Sequence, residues 1–430
     1  MRFIRDLIAT TAILAGVLIL LELGLRLAGA KYEASLYTTE AERGYALRPN
    51  AEGWTTIENE NYVRINSDGM YDEEHSAPRP QNVIRIAVIG SSEAEAQQVP
   101  LDRTFEAVIK RRISSELAQC GCRVEVLNFA VPGYGLAQEY LTLHNHIWKY
   151  QPQVVILANT SNVMLRNTRE LYPDPRFIRN TPFYVFDHGV LVPDREARLI
   201  QTPDPVRVRW RARLSDWMNK SRVLSLVNEA FSSVPRVMER IKALRLPRSS
   251  QPVSSKDIPS NYTTAWTYNP GTPRMHESWA IGDGFFRMMK DDCDRHSAEF
   301  WIVTIEMEGE VSPNLADRYA LERRLGVDSL LLSDQYIEEL AHNNGIKVVT
   351  LAPSMGDYAL SHHVALHGFF NTAFNDGHWN ETGHQVAGEI IAQRLLRDSA
   401  VLNGSTDAGS PSSKGQDPSR NSVSCACSGK

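Results

Sequence analysis

The sequence predicts an open, doubly wound α/β fold built on five parallel strands, and three observations predict it. Short β-branched runs that end at glycine or asparagine recur along the chain. Helical periodicity follows most of them, as parallel strands with crossover helices require. The residues just past the run ends are rich in Ser, Asn, Asp and His, which is where an open parallel sheet binds its ligands.

The elements follow in order. Arg2 and Arg5 precede an uncharged stretch from Leu7 to Leu21, after which Glu22 and Arg26 stand one helical turn apart. Extended through Leu27, the segment reaches the roughly 20 residues that a bilayer crossing needs. Ala28, Gly29 and Ala30 resemble a small-residue cleavage site. Residues 1–30 are therefore a signal anchor or a cleaved signal peptide. Either one exports the remainder, because the basic residues before the apolar run favour the inside. Residues 31–80 are polar and broken by turn signals such as Asn66-Ser67-Asp68-Gly69, and read as a stem and N-terminal extension.

The first part of the α/β domain covers 81–164. Val83 to Gly90 (VIRIAVIG) is a strand, with a helical pattern from Leu101 to Leu117. Arg123 to Phe129 leads through Pro132 and Gly133 to a helix over Ala137 to Tyr150, and Gln153 to Asn159 is the third strand. Residues 165–268 break the pattern as an insertion. Within it, Arg207 to Arg248 carries eleven Arg and Lys against three acidic residues on a pair of amphipathic helices. That segment is either a solvated face or a basic cover near a membrane or polysaccharide. The second part, 269–400, resumes with a helix over Ser278–His296, the strand Glu299 to Ile305, a helix over Ser329–Asn343, the strand Ile346 to Leu351 and a last helix over Glu381–Leu396. Residues 401–430, rich in Ser, Gly, Asp and Pro, read as a disordered tail.

A net charge of −5 over 430 residues shows no general preference for nucleic acid. Five cysteines, Cys120, Cys122, Cys293, Cys425 and Cys427, suggest no disulfide framework. His362, His363 and His367 are rivals for a metal site, with His363 and His367 spaced to share a helix face, but no acidic ligand completes the set. Gly133-Tyr134-Gly135 lacks the third glycine of a dinucleotide fingerprint, and Gly90-Ser91-Ser92 lacks the ending of a phosphate loop. No cofactor is expected.

Serine needs a base to become nucleophilic, and the base needs a partner that holds its tautomer. Ser92 follows the first strand, and Asp376-Gly377-His378 precedes the last helix. Ser92 opens a helix whose free N–H groups can meet an oxyanion. Gly133 and Asn162 stand past the second and third strands.

Over about residues 62 to 398, the insertion excepted, these motifs resemble the SGNH, or GDSL-like, hydrolase superfamily. The resemblance rests on Ile65-Asn66-Ser67-Asp68-Gly69, the Ile-Gly-Ser-Ser strand end, Asn-Phe-Ala-Val-Pro-Gly-Tyr-Gly-x-x-Gln-Glu, and Asp-Gly-His-Trp-Asn-x-x-Gly-His. It implies a flavodoxin-like sheet, Ser92 as nucleophile with Asp376 and His378, and an oxyanion hole of the Ser92 N–H, the Gly133 N–H and the Asn162 amide. The sequence departs from the pattern in three places. Ser91 replaces the usual Asp before the nucleophile and is itself an alternative nucleophile. Thr160 and Val163 flank Asn162 in place of Gly and Asp. The short Asp-x-His spacing followed by Trp resembles the branch that acetylates exported polysaccharides. The expected activity is hydrolysis of an acyl ester, acetyl above all, on an extracytoplasmic carbohydrate. O-acyl transfer through the same acyl-enzyme and an inactive glycan-binding protein are the alternatives.

Overall fold

A computed structural model describes residues 2–173, 178, 181–194, 204–231 and 271–403. Its centre is a five-stranded, wholly parallel sheet of β5 (Val83–Gly90), β6 (Arg123–Asn128), β7 (Val154–Thr160), β10 (Glu299–Ile305) and β11 (Lys347–Thr350), in the order β11-β10-β7-β5-β6. The chain moves outward from β5 to β6, returns to the other side at β7 and continues to β11. The order reverses beside β5, and that reversal opens a crevice at the carboxyl ends of β5 and β7.

All eight residues of β5 are buried, as expected for a central strand covered on both faces. Alternation divides the core. Ala87, Ile89, Leu127, Leu157 and Ile302 pack against Trp279, Phe285 and Phe286 of the long helix Pro273–Arg295. Ile86, Val88, Val126, Ile156 and Val303 face Phe105 and Ile109 of the helix Phe105–Glu116 and Ile391 and Leu395 of the helix Glu381–Asp398. Fully burying each such large side chain contributes about 1.5–3 kcal/mol. Gly90 ends β5 because a Cβ there would strike the Ala158 carbonyl and the Ala94 side chain. The turn into Ser91 and Ser92 depends on that close approach.

The five expected strands are present, with boundaries moved by a residue or two. The helix expected over Ala137–Tyr150 is α-helical only over Leu136–Thr142 and continues through a π turn and a 3₁₀ turn. Two helices not expected, Leu315–Leu325 and Ala352–His362, flank β10 and β11. The second ends with His363 in the left-handed region, φ 55°, so His363 and His367 do not share a helix face.

The stretch read as a stem is folded. Two hairpins, β1–β2 (Tyr37–Glu40 and Gly44–Leu47) and β3–β4 (Glu52–Thr55 and Asn61–Arg64), bury Leu36, Leu47, Val63, Ile65 and Tyr71 against Val131 and Tyr134 beyond β6. Asn66 turns the following loop by accepting the N–H groups of Asp68 and Met70.

The insertion contributes a hairpin, β8–β9 (Tyr184–Asp187 and Val190–Pro193), the helix Pro205–Lys220 and helical residues 222–231. The rest of the expected pair of basic helices and the tail from 404 lie outside the described residues. At the N-terminus, Arg2–Leu27 is a single helix long and apolar enough to cross a membrane. Cys120 and Cys122, one residue apart before β6, are disulfide-bonded, a local link rather than a framework, and Cys293 is buried and free.

Candidate functional site

The site is built at the exits of β5, β6 and β7. Ser91 precedes and Ser92 opens the short helix Ser92–Glu95; Ser91 is buried and Ser92 half-buried. Neither the Ser92 N–H nor its hydroxyl has a hydrogen-bond partner among the described residues. Beyond β6, Asn128 holds the loop against this helix, donating to the Ala94 carbonyl at 2.8 Å and accepting from Ala130 N–H. Val131 N–H donates to the Gly90 carbonyl at 3.2 Å, so the loop passes the end of β5 at Val131 before it reaches Gly133. Gly133 has φ +78°, and a Cβ there would lie 2.8 Å from the Tyr45 hydroxyl. Glycine is therefore required twice, by conformation and by space.

Asn162 follows β7 on the 3₁₀ segment Ser161–Arg166. Thr160 Oγ1 donates to Asn162 Oδ1 at 2.6 Å, which leaves the amide N–H₂ as the outward donor. Thr160, one of the neighbours of Asn162, thus orients its amide. Arg166 then ties this segment to the Gly133 loop by donating to the Tyr134 carbonyl at 2.5 Å.

The His378 loop sits opposite. His378 Nδ1 bonds Glu58 Oε1 at 2.8 Å, and the His378 N–H donates to Glu58 Oε2 at 3.0 Å. Glu58 comes from the turn between β3 and β4. Asp376, expected to hold this imidazole, is exposed and makes no side-chain bond among the described residues. Asn375 and Gly377 both have positive φ, 54° and 99°, and a chain that turns twice within three residues turns His378 away from Asp376 and towards the hairpin. Sequence reading gave no sign of Glu58: a lone Glu in a polar turn, 320 residues from its partner, carries no spacing signal.

Glu93 joins the halves. Its Oε2 accepts the Trp379 N–H at 3.1 Å, so the residue after Ser92 is bonded to the residue after His378. There is no direct Ser92–His378 hydrogen bond among the described residues, and such bonds commonly tighten only with substrate. A buried trio fixes the loop from behind. Glu306, at the exit of β10, accepts from Trp379 Nε1 at 2.6 Å and meets His367 Nε2 at 3.2 Å, while His367 Nδ1 meets the Gly377 carbonyl at 2.8 Å. His367 is thereby a structural partner of Glu306, and His362 is exposed and bonded to the Tyr358 carbonyl. No group of three metal-ligating side chains is formed among the described residues.

Electrostatics favour a charged imidazole. Burial alone would lower the His378 pKa, but the charge of Glu93, the hydrogen bond and charge of Glu58, and the charge of Glu95 together raise it to about 9. Burial would raise Glu58, yet its bond to His378 holds it below the usual carboxylate value. Glu93 is pushed up, chiefly by burial.

No family model and no curated protein matches the chain. Among solved structures, it is similar to an α/β hydrolase enzyme from the metagenome of Lake Arreo, Spain, at 11% identity and a TM-score of 0.35, covering 73% of this chain and 96% of that one. It is similar to an acetyl xylan esterase at 9% identity and a TM-score of 0.35, covering 73% of this chain and 100% of the other. A member of the lipolytic protein G-D-S-L family from Veillonella parvula gives 10%, 0.33, 73% and 99%.

Proposed function

We propose that the chain is an SGNH-type serine ester hydrolase in which Ser92 attacks an acyl carbonyl, His378 takes its proton, and Glu58 holds His378. The observation that carries this reading is the linkage of Glu58–His378 to Ser92–Glu93 through the Glu93–Trp379 bond, at the reversal point of a parallel sheet. Glu58 takes the part that the sequence resemblance gives to Asp376. The oxyanion would be met by the Ser92 N–H, the Gly133 N–H and the Asn162 amide, three donors on adjacent strand exits. Neither N–H has another partner among the described residues. No step calls for a metal or a cofactor.

The mechanism has two halves. Ser92 Oγ bonds to the carbonyl carbon as its proton passes to His378 Nε2; the alcohol then leaves with that proton. Water, deprotonated by His378, releases the acid from the acyl-enzyme. A second reading, transfer of the acyl group to a sugar hydroxyl, is favoured by the Asp376-Gly377-His378-Trp379 spacing. The acetylated carbohydrate as substrate comes from the same sequence resemblance. Arg2–Leu27 would anchor the enzyme with its catalytic part outside the cytoplasm, and disulfide bonding at Cys120 and Cys122 suits an oxidising compartment.

The test is labelling by a fluorophosphonate together with hydrolysis of p-nitrophenyl acetate. Wild type should label and turn over, and Ser92→Ala should do neither. Labelling kept in Ser92→Ala but lost in Ser91→Ala moves the nucleophile to Ser91. Wild type that fails both assays, and fails to transfer acetyl to a glycan, leaves a binding protein.

A further inference from the structure

The helix Pro205–Lys220 has two unlike faces. One is docked: Asp216 pairs with Arg48, and Asn219 accepts the Ser35 N–H at 3.0 Å and donates to the carbonyls of Ser35 and Glu52 at 3.2 Å each. Val208 and Met218 on this side join Tyr37, Tyr45 and Pro132 around a cavity of about 600 Å³, immediately beside Gly133. The other face is bare. Val206, Trp210, Arg213 and Trp217 recur at the spacing of one helical stripe, and Trp210 and Trp217 are 67% and 63% exposed. Arg207 and Arg209 flank the stripe and are exposed as well, while Arg211 lines the cavity on the docked side.

The end of this helix is tied to the N-terminal one. Arg26 donates to the Lys220 carbonyl at 2.5 Å, and the Glu22 carboxylate accepts the N–H groups of Arg222 and Val223 at 3.0 Å each and the Ser221 hydroxyl at 3.0 Å. Glu22 lies about 8 Å along the axis from the end of the apolar helix at Leu27, which is headgroup depth for a helix that spans a bilayer. A helix pinned at that level, with tryptophans on its free face and arginines beside them, has the composition of an interfacial helix.

We propose that Pro205–Lys220 lies on the surface of an anionic bilayer through its Trp210–Arg213–Trp217 face, so that the cavity beside Gly133 is walled by a membrane-bound helix. The proposal rests on Arg2–Leu27 spanning the same bilayer. Continuity with that helix and the positive charge of the stripe select anionic lipid as the partner.

The test uses the full chain in vesicles containing anionic lipid with brominated acyl chains. Arg2–Leu27 contains no tryptophan, so quenching reports only on the remainder. Wild type should lose roughly a quarter of its emission, as for two of eight tryptophans. Trp210→Phe with Trp217→Phe should abolish that loss while p-nitrophenyl acetate hydrolysis persists. Zwitterionic brominated vesicles, or Arg207, Arg209 and Arg213 all changed to Glu, should weaken it. Release of wild type by alkaline carbonate would overturn both the spanning helix and the docking. Retention without quenching, or equal quenching in the double variant, would overturn the docking alone.

Discussion

Replacing Glu58 by Gln keeps the size of the side chain and removes its charge, which separates the roles of Glu58 and Asp376. Glu58 makes two bonds to His378, at 2.8 Å to Nδ1 and 3.0 Å from the backbone N–H. A hydrogen bond to a charged group contributes about 1.5–3 kcal/mol. The substituted glutamine can still accept one of the two bonds, but its amide N–H₂ can also donate to Nδ1 and so favour the tautomer that cannot take the serine proton. Loss of the orienting carboxylate in serine–histidine–acid sites costs on the order of 10⁴ in kcat. Glu58→Gln should therefore lower kcat for p-nitrophenyl acetate by about 10³–10⁴ with little change in KM, and Glu58→Asp should recover part of it. Asp376→Asn, at an exposed residue without a side-chain partner among the described residues, should stay within about threefold of wild type, as surface changes do. The reasoning is refuted if Asp376→Asn loses activity by orders of magnitude while Glu58→Gln keeps it.

Three further outcomes are expected. Because His378 is held protonated up to about pH 9, kcat/KM should rise with pH through that region, and Glu93→Gln should move the ascending limb down by about one unit; an unmoved limb would remove Glu93 from the account. Thr160→Val should free the Asn162 amide to rotate and lower kcat by about tenfold, against about 10²–10³ for Asn162→Ala, both read in single-turnover acylation. Stability should turn over with pH. Burial lowers the His384 pKa from 6.5 to about 3, so the unfolded chain binds a proton that the folded chain refuses, and stability is lost as pH falls below 6.5. For His367, burial is outweighed by Glu306 and the pKa rises from 6.5 to about 9, so its contribution is complete below 6.5 and is lost as pH rises towards 9. Urea titrations on either side of 6.5 should show both slopes, and His384→Gln should flatten the acidic one.

The sheet was legible because its strands are continuous β-branched runs closed by Gly90, Asn128 and Thr160, a pattern set by burial on both faces. The helix Ala352–His362 was not, since it carries Pro353 and Gly356, both poor helix formers; Pro353 occupies the first turn, where its missing N–H has no intrahelical partner to lose. Leu315–Leu325 buries none of its residues and so left no apolar stripe to read. Ser92, Gly133 and Asn162 stand out in the sequence beyond strand ends, and His378 in the loop before the last helix. Glu58 and the Glu306–His367–Trp379 trio do not, because their partners are fixed by how distant loops meet rather than by any local period.

The Glu58–His378 pair also sets an order of assembly. The carboxylate leaves the ribosome long before the imidazole, so the two can meet only after the last loop of the domain has been made. Joining ends this far apart is costly in chain entropy. On this arrangement a nascent chain holds the serine before its base has been made, and a protein cut back to Val83, the start of its sheet, keeps Ser92 and His378 in its sequence but loses the carboxylate that orients the imidazole.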